Sequence, residues 1–200
     1  TGYQNVGIGI NALGANTTAN NNVAVGVNSL LSNTTGTSNT ALGSFALDAN
    51  TTASNNSAFG YNSLTANTTG TRNTASGAYT LSGNTTASDN TAFGYQVLEA
   101  NTTGANNTAV GTYALDANTT ASNNTAVGYA SLGLNTTGHS NVAIGTNAGD
   151  SNTTGNQNVF VGMNAFQGNT TAVQNTGVGD TIFNACSTGT RNAGLGYEAG

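Results

Sequence analysis

The sequence predicts an all-β parallel solenoid (β-roll), and three observations carry that prediction. Glycine recurs at every seventeenth residue, from Gly9, Gly26 and Gly43 through to Gly196, twelve times in all. Asparagine stands four residues before each of these glycines: Asn5, Asn22, Asn39, Asn56, Asn73, Asn90, Asn107, Asn124, Asn141, Asn158, Asn175 and Asn192. No insertion interrupts the count, so each repeat is one structural unit stacked on the last, and the chain is a rod.

Composition supports the stack. Charged residues are 4% of the chain, and proline and tryptophan are absent. Disordered chains are also poor in apolar residues, but they carry high charge or proline. Uncharged, periodic Asn/Thr sequence suits stacked β-structure, in which identical side chains form ladders. A charge repeated in every layer would meet its copy about 4.8 Å away and repel it.

The net charge of −5 is small, and two arginines with no lysine exclude a nucleic-acid footprint. No apolar run approaches the ~18 residues of a membrane span, so no membrane insertion is expected. A single cysteine excludes a disulfide framework within the chain. With no initiator Met and both ends in mid-repeat, residues 1–200 read as one solenoid domain, an excerpt or processed subunit of a longer fibre.

Within a repeat the consensus is Asn-Thr-Ala-Val-Gly-x-x-x-Leu-x-x-Asn-Thr-Thr-Gly/Ala-x-x, with Asn107 to Asn123 a clean copy. The first half is apolar: Ala109, Val110, Tyr113, Ala114 and Leu115. Leucine holds its place from Leu13 to Leu132, and Phe166 and Phe183 replace it later. The Asn-Thr-Thr half is turn-forming, because Asn, Asp and Gly tolerate left-handed backbone. Gly and β-branched residues at this density argue against helix. Two or three short strands joined by corners are expected in each coil.

Both parities of the first strand are apolar, Ala109 one way and Val110 the other, as in a strand covered on both faces. One face points into the solenoid, and the other is expected to pack against another copy of the chain. The sequence leaves open which is which. A 34-residue superperiod lies beneath the 17-residue one. Phe45, Tyr79 and Tyr113 sit two residues after the glycine, whereas Tyr61, Tyr95 and Tyr129 sit one after. Ala53, Ala87 and Ala121 alternate in step with Gly70, Gly104 and Gly138. Either successive coils interlock large against small, or two repeats make one larger coil. Twelve coils at ~4.8 Å give a rod of about 55 Å, and the larger coil gives half that.

The Asn-Thr-Ala-Val-Gly-x-x-x-Leu motif resembles the strand motif in the heads of YadA-type trimeric autotransporter adhesins. With Asn-Thr-Thr-Gly added, the unit is similar to repeats of tail-fibre-like stalks. The likeness covers essentially the whole chain, although the period is longer than in those heads and no coiled-coil stalk, anchor or chaperone domain is visible. It implies a parallel β-roll, trimeric assembly and an extracellular, cell-surface or virion-surface location. The expected function is a structural, adhesive fibre subunit that assembles with copies of itself, as a trimer or a head-to-tail filament. The alternatives are an ice-binding solenoid and a stalk module that binds cell-surface glycans.

Asn-Thr-Thr begins at Asn16, Asn33, Asn50, Asn67, Asn84, Asn101, Asn118, Asn135, Asn152 and Asn169. Each copy is formally an N-glycosylation acceptor, weighed against an amide ladder running from coil to coil. Ice binding draws on the same threonines, but adjacent Thr17 and Thr18 would point to opposite faces of an extended strand. Asp48, Glu99, Asp116 and Asp150 share one repeat position and read as a solvated face rather than a calcium site. His139, the one histidine, has no partners for a metal or catalytic site and reads as a loop residue. No catalytic residue, metal or cofactor is expected. Cys186 replaces the asparagine in the degenerate coil at 180–200, alongside Ile182 and Phe183. That coil reads as a cap or subunit contact, set against a plain buried residue.

Overall fold

The computed structural model describes residues 2–199. The chain is an all-β parallel solenoid. Its strands begin with β1 (Val6–Ile8) and β2 (Val23–Val25), pass through β7 (Thr108–Val110) and β8 (Thr125–Val127), and end with β12 (Ala193–Leu195). All twelve lie in one sheet in chain order. The register is seventeen residues throughout: Thr108 faces Thr125, Ala109 faces Ala126 and Val110 faces Val127. The coil therefore holds 17 residues, not 34, and the first and last strands stand about 53 Å apart at ~4.8 Å per layer.

Each coil has one strand of three residues, where the sequence suggested two or three. Left-handed residues break the extended backbone at three further places. In the coil of β7 these are Tyr113 (φ 61°), Leu115 (φ 52°) and Asn123 (φ 62°). Asparagine suits such a position, but leucine does not. Every leucine of the column nonetheless lies between 49° and 55°. What holds it there is hydrogen bonding that continues around the corners. The N–H groups of Gly111 and Tyr113 donate to one neighbouring coil, at Phe93 and Tyr95. Those of Leu115 and Ala117 donate to the other, at Ser131 and Gly133. The corners thus keep the coil-to-coil pairing that buried backbone requires.

The repeating glycine answers a close approach. Gly111 has φ 121°, and a Cβ there would lie 2.5 Å from the Gly128 carbonyl of the next coil. No side chain fits between the stacked glycines.

The interior is thin. Strand-centre alanines such as Ala109 and Ala126, and leucines from Leu30 to Leu132, are fully buried. Each buried leucine contributes about 1.5–3 kcal/mol. The small side of the strand thus faces inward and the large side outward, which answers the parity left open by sequence. Volume is conserved where the pattern changes. Gly149 takes the leucine position, and a Cβ there would collide with Phe160, which has replaced an alanine one coil later. Likewise Phe166 replaces leucine over Gly177, and Phe183 over Gly194. Phe160, Phe166 and Phe183 stack with centroids 4.8 and 5.0 Å apart. Gains in one column are cancelled by losses in the next, as close packing demands.

Two asparagine ladders complete the core, and the columns from Asn22 to Asn175 and from Asn33 to Asn169 are both buried. In the first, Asn107 Oδ1 accepts the N–H of Asn124 at 3.0 Å, while its Nδ2 donates to the Ala121 carbonyl at 2.9 Å. In the second, Asn118 Nδ2 donates to Asn101 Oδ1 at 2.8 Å and to the same Ala121 carbonyl at 3.1 Å. Both lone pairs of that carbonyl are thereby filled. The clasp recurs in nine successive coils, on the carbonyls of Ala19 through Gly155. It also constrains the clasp residue itself. A Cβ at Gly104 would lie 2.6 Å from Asn101 Oδ1 and collide with the Ala121 carbonyl. No two clasp positions in succession carry alanine, and at the glycine positions a Cβ would meet the next coil's carbonyl whichever residue supplies it, as Gly138 would meet that of Gly155.

The second ladder ends where Cys186 takes the place of asparagine. One coil earlier the Asn169 amide is reversed, and its Oδ1 accepts the Ala172 N–H at 2.9 Å. Asn169 Nδ2 and Asn152 Oδ1 are left buried without partners. Cys186→Asn would offer Asn169 Oδ1 a donor, let that amide turn back, and satisfy both orphans. We expect a gain of about 1–3 kcal/mol, read as a raised urea midpoint with slower amide exchange around Asn169.

Candidate functional site

The sequence-predicted site residues divide between interior and surface. The Asn-Thr-Thr asparagines from Asn33 to Asn169 are fully buried, with Asn16 half-buried in the first coil. Apart from the reversed Asn169, the Nδ2 atom that a glycan would occupy donates inward, as at Asn118. The folded coil thus leaves no room for N-glycans at these positions, and the column is a ladder instead. Ile182 is fully buried, and Phe183 packs on Phe166. Cys186 is half-buried and receives Asn192 Nδ2 at 3.7 Å. Ile182 thus fills its own solenoid, while Phe183 and Cys186 pack against the core and stay partly exposed. His139 is exposed, with Nδ1 3.2 Å from Ser140 Oγ. No group of three metal-binding side chains, and no cavity, occurs among the described residues.

The two threonines of each corner differ. The first bonds the next coil, as Thr102 Oγ1 does on the Thr119 carbonyl at 3.0 Å. The second, from Thr18 to Thr171, is exposed once per coil, giving a single rank of hydroxyls.

The outward face of the strands carries a threonine-rich column at the first position, as at Thr108, and an apolar column at the third. The third residue of each strand points outward and forms a column that includes Leu42, Phe59, Phe93, Val110, Ile144 and Val178, each 37–44% exposed. Sequence reasoning placed a second apolar face here without knowing its direction. A ring column runs beside it: Phe45, Tyr61, Tyr79, Tyr95, Tyr113 and Tyr129, with centroids 5.5–6.2 Å apart and planes at 76–86°. This is edge-to-face packing, the favoured aromatic geometry. It explains the ring alternation of the superperiod. Rings at one identical position would be held face to face by the ~4.8 Å layer spacing, and moving every second ring by one residue turns edge toward face. Tyr61, Tyr95 and Tyr129 protrude furthest.

Charge is sparse. Arg72 and Asp89 form an exposed ion pair with bonds of 2.6 and 2.8 Å, and Arg72 holds the Asp89 carboxyl below its ordinary pKa. The acidic column is half-buried rather than fully solvated. Asp48 Oδ1 accepts the Thr65 hydroxyl at 2.7 Å, and Glu99 accepts Gln96 Nε2. Burial raises the Asp116 pKa, and neighbouring Glu99 raises it further, while burial alone raises that of Asp150.

Comparison with protein families, with curated proteins and with solved structures finds no match to this chain.

A carboxyl whose pKa is raised in the fold favours the neutral form there. Its stabilisation is present below the ordinary carboxyl pKa and is lost as pH rises through the raised value. Asp116→Asn is therefore expected to raise the urea midpoint at neutral pH. The difference should vanish below about pH 4, the ordinary carboxyl value. A difference that grows toward acid would contradict this.

Proposed function

We propose that this chain is a structural segment of a fibre, extracellular or on a virion surface, whose apolar stripe is buried against further copies of the same chain. The observation that carries this reading is the exposed column from Leu42 to Val178 with the rings beside it. This column runs over nine of the twelve strands, broken by Ser76, and an exposed apolar band of that kind marks an interaction surface.

A second copy is the fitting occupant for two reasons. The stripe repeats once per layer, and a partner of different pitch would drift out of step within a few coils, whereas an identical rod stays matched along its length. Charge offers little to a different partner, because the chain has nine charged side chains in all and its one acidic column, from Asp48 to Asp150, is half-buried and present in only four coils. The resemblance to YadA-type heads adds three-fold assembly and an adhesive role to the proposal. The ice-binding alternative draws on the exposed corner threonines, but these form one rank, and the strand-leading threonines such as Thr108 lie beside an apolar column rather than extending that rank into a hydroxyl lattice. Glycan binding at a cell surface has no specific feature in its favour.

Sedimentation equilibrium on the native chain and on a Phe59→Ser, Phe93→Ser double variant tests the proposal. Both side chains point outward, so the variant should keep the native circular dichroism. The native chain is expected to form a defined oligomer, and the variant to dissociate, with association weakened roughly tenfold or more per phenylalanine. A native chain that stays single at high concentration would contradict the proposal.

A further inference from the structure

We propose that the ring column is a site of oxidative phenol coupling, at which adjacent coils become joined by dityrosine bonds under a haem peroxidase and hydrogen peroxide. Five of its six rings are tyrosine, with consecutive contacts Tyr61–Tyr79 at 5.5 Å, Tyr79–Tyr95 at 6.2 Å, Tyr95–Tyr113 at 5.9 Å and Tyr113–Tyr129 at 5.9 Å. Packing does not require the hydroxyls. Phe45 holds the same kind of position at the head of the column without one, at 5.9 Å from Tyr61. None of the five hydroxyls has a hydrogen-bond partner among the described residues, whereas the first threonine of every Asn-Thr-Thr corner does. The phenols are therefore an added chemical function on a ring stack that phenylalanine would serve.

The surface offers no other common cross-linking chemistry. The chain has no lysine for amide bonds and a single cysteine, so no disulfide can form within it. Its solenoid is held from coil to coil by hydrogen bonds, packing and the Arg72–Asp89 ion pair, and a covalent link between successive coils would lock the stack.

The chemistry balances. The peroxidase, oxidised by one molecule of hydrogen peroxide, removes one electron and one proton from each of two neighbouring phenols. The two tyrosyl radicals join through ring carbons ortho to their hydroxyls, forming one C–C bond. Each ring then loses its ortho hydrogen as a proton and regains a proton on oxygen. The peroxide is reduced to two molecules of water. A radical on Tyr79, Tyr95 or Tyr113 has a phenol against it on both sides, and one on Tyr61 or Tyr129 has a phenol on one side. Tyr3 and Tyr197, 63% and 71% exposed, are more accessible but stand outside the column. They serve as internal controls.

The test is peroxidase and hydrogen peroxide treatment of the full chain at micromolar concentration, followed by mapping of dityrosine-linked peptides by mass spectrometry. Neighbours held in contact meet at an effective concentration of about millimolar or more, so links within the column should exceed links between chains by roughly a thousandfold. The expected products are Tyr61–Tyr79, Tyr79–Tyr95, Tyr95–Tyr113 and Tyr113–Tyr129, unchanged on dilution and lost in denaturant. Tyr95→Phe keeps the ring and should abolish the two links through position 95 while leaving Tyr61–Tyr79 and Tyr113–Tyr129. Links spread evenly over all tyrosines, with Tyr3 and Tyr197 included, would overturn the proposal. So would the absence of dityrosine under conditions that couple free tyrosine.

Discussion

In nine of the coils two buried asparagine amides meet on a single carbonyl, and the geometry of that meeting sets the length of the repeat. In the coil of β7, Asn107 and Asn118 converge on Ala121. One reaches across the coil and the other across a single turn. Adding a residue between Asn107 and Asn118, or between Asn118 and Ala121, would pull an amide off the carbonyl and leave buried polar groups unpaired, a cost of about 1–3 kcal/mol for each group. Each asparagine is also bonded to its counterpart one layer away, so a misfit in one coil would pass to its neighbours. Constant length, absent insertions and the glycine beat are consequences of that closure.

Around this clasp the rest of the core follows from thinness. With one three-residue strand per coil, the interior holds only an alanine, a leucine, a small residue and the two amides. Such a core has no slack for extra volume. That is why the late phenylalanines come with Gly149, Gly177 and Gly194 rather than with alanines or leucines. The same thinness sends the larger strand residues outward, Phe160 over Gly149 excepted, and the apolar stripe is its result. The surface proposed to bind other copies is thus the geometric complement of the core.

Much of this was legible in the sequence. Strict spacing announced parallel stacking, and the column from Asn5 to Asn192 announced an amide ladder. Three features were not legible, for identifiable reasons. Leu115 and Tyr113 adopt left-handed backbone, for which the usual cues are glycine and asparagine, and only the coil-to-coil hydrogen bonds around them reveal why they do. For Asn118 the sequence offered an amide ladder beside a glycosylation sequon and the ladder holds, but its convergence with Asn107 on one carbonyl is displayed by no local pattern. The 34-residue superperiod left open interlocking coils or one larger coil; the coil holds 17 residues, and the alternation records rings of adjacent layers set edge to face. Cys186, Ile182 and Phe183 stood out as departures from the repeat; Gly194 compensates Phe183 in volume, whereas Cys186 ends the second ladder and leaves two amide atoms unpaired.

The central claim is that the paired asparagine amides are buried and committed to one carbonyl in each clasped coil. Solution NMR exchange rates of the side-chain amide protons test it most directly, because Asn123 provides an exposed reference in the same coil. The account predicts that the Nδ2 protons of Asn107 and Asn118 exchange with water far more slowly than those of Asn123. It further predicts that both show through-hydrogen-bond coupling to the Ala121 carbonyl. Exchange of Asn107 and Asn118 as fast as that of Asn123, without such coupling, would contradict it.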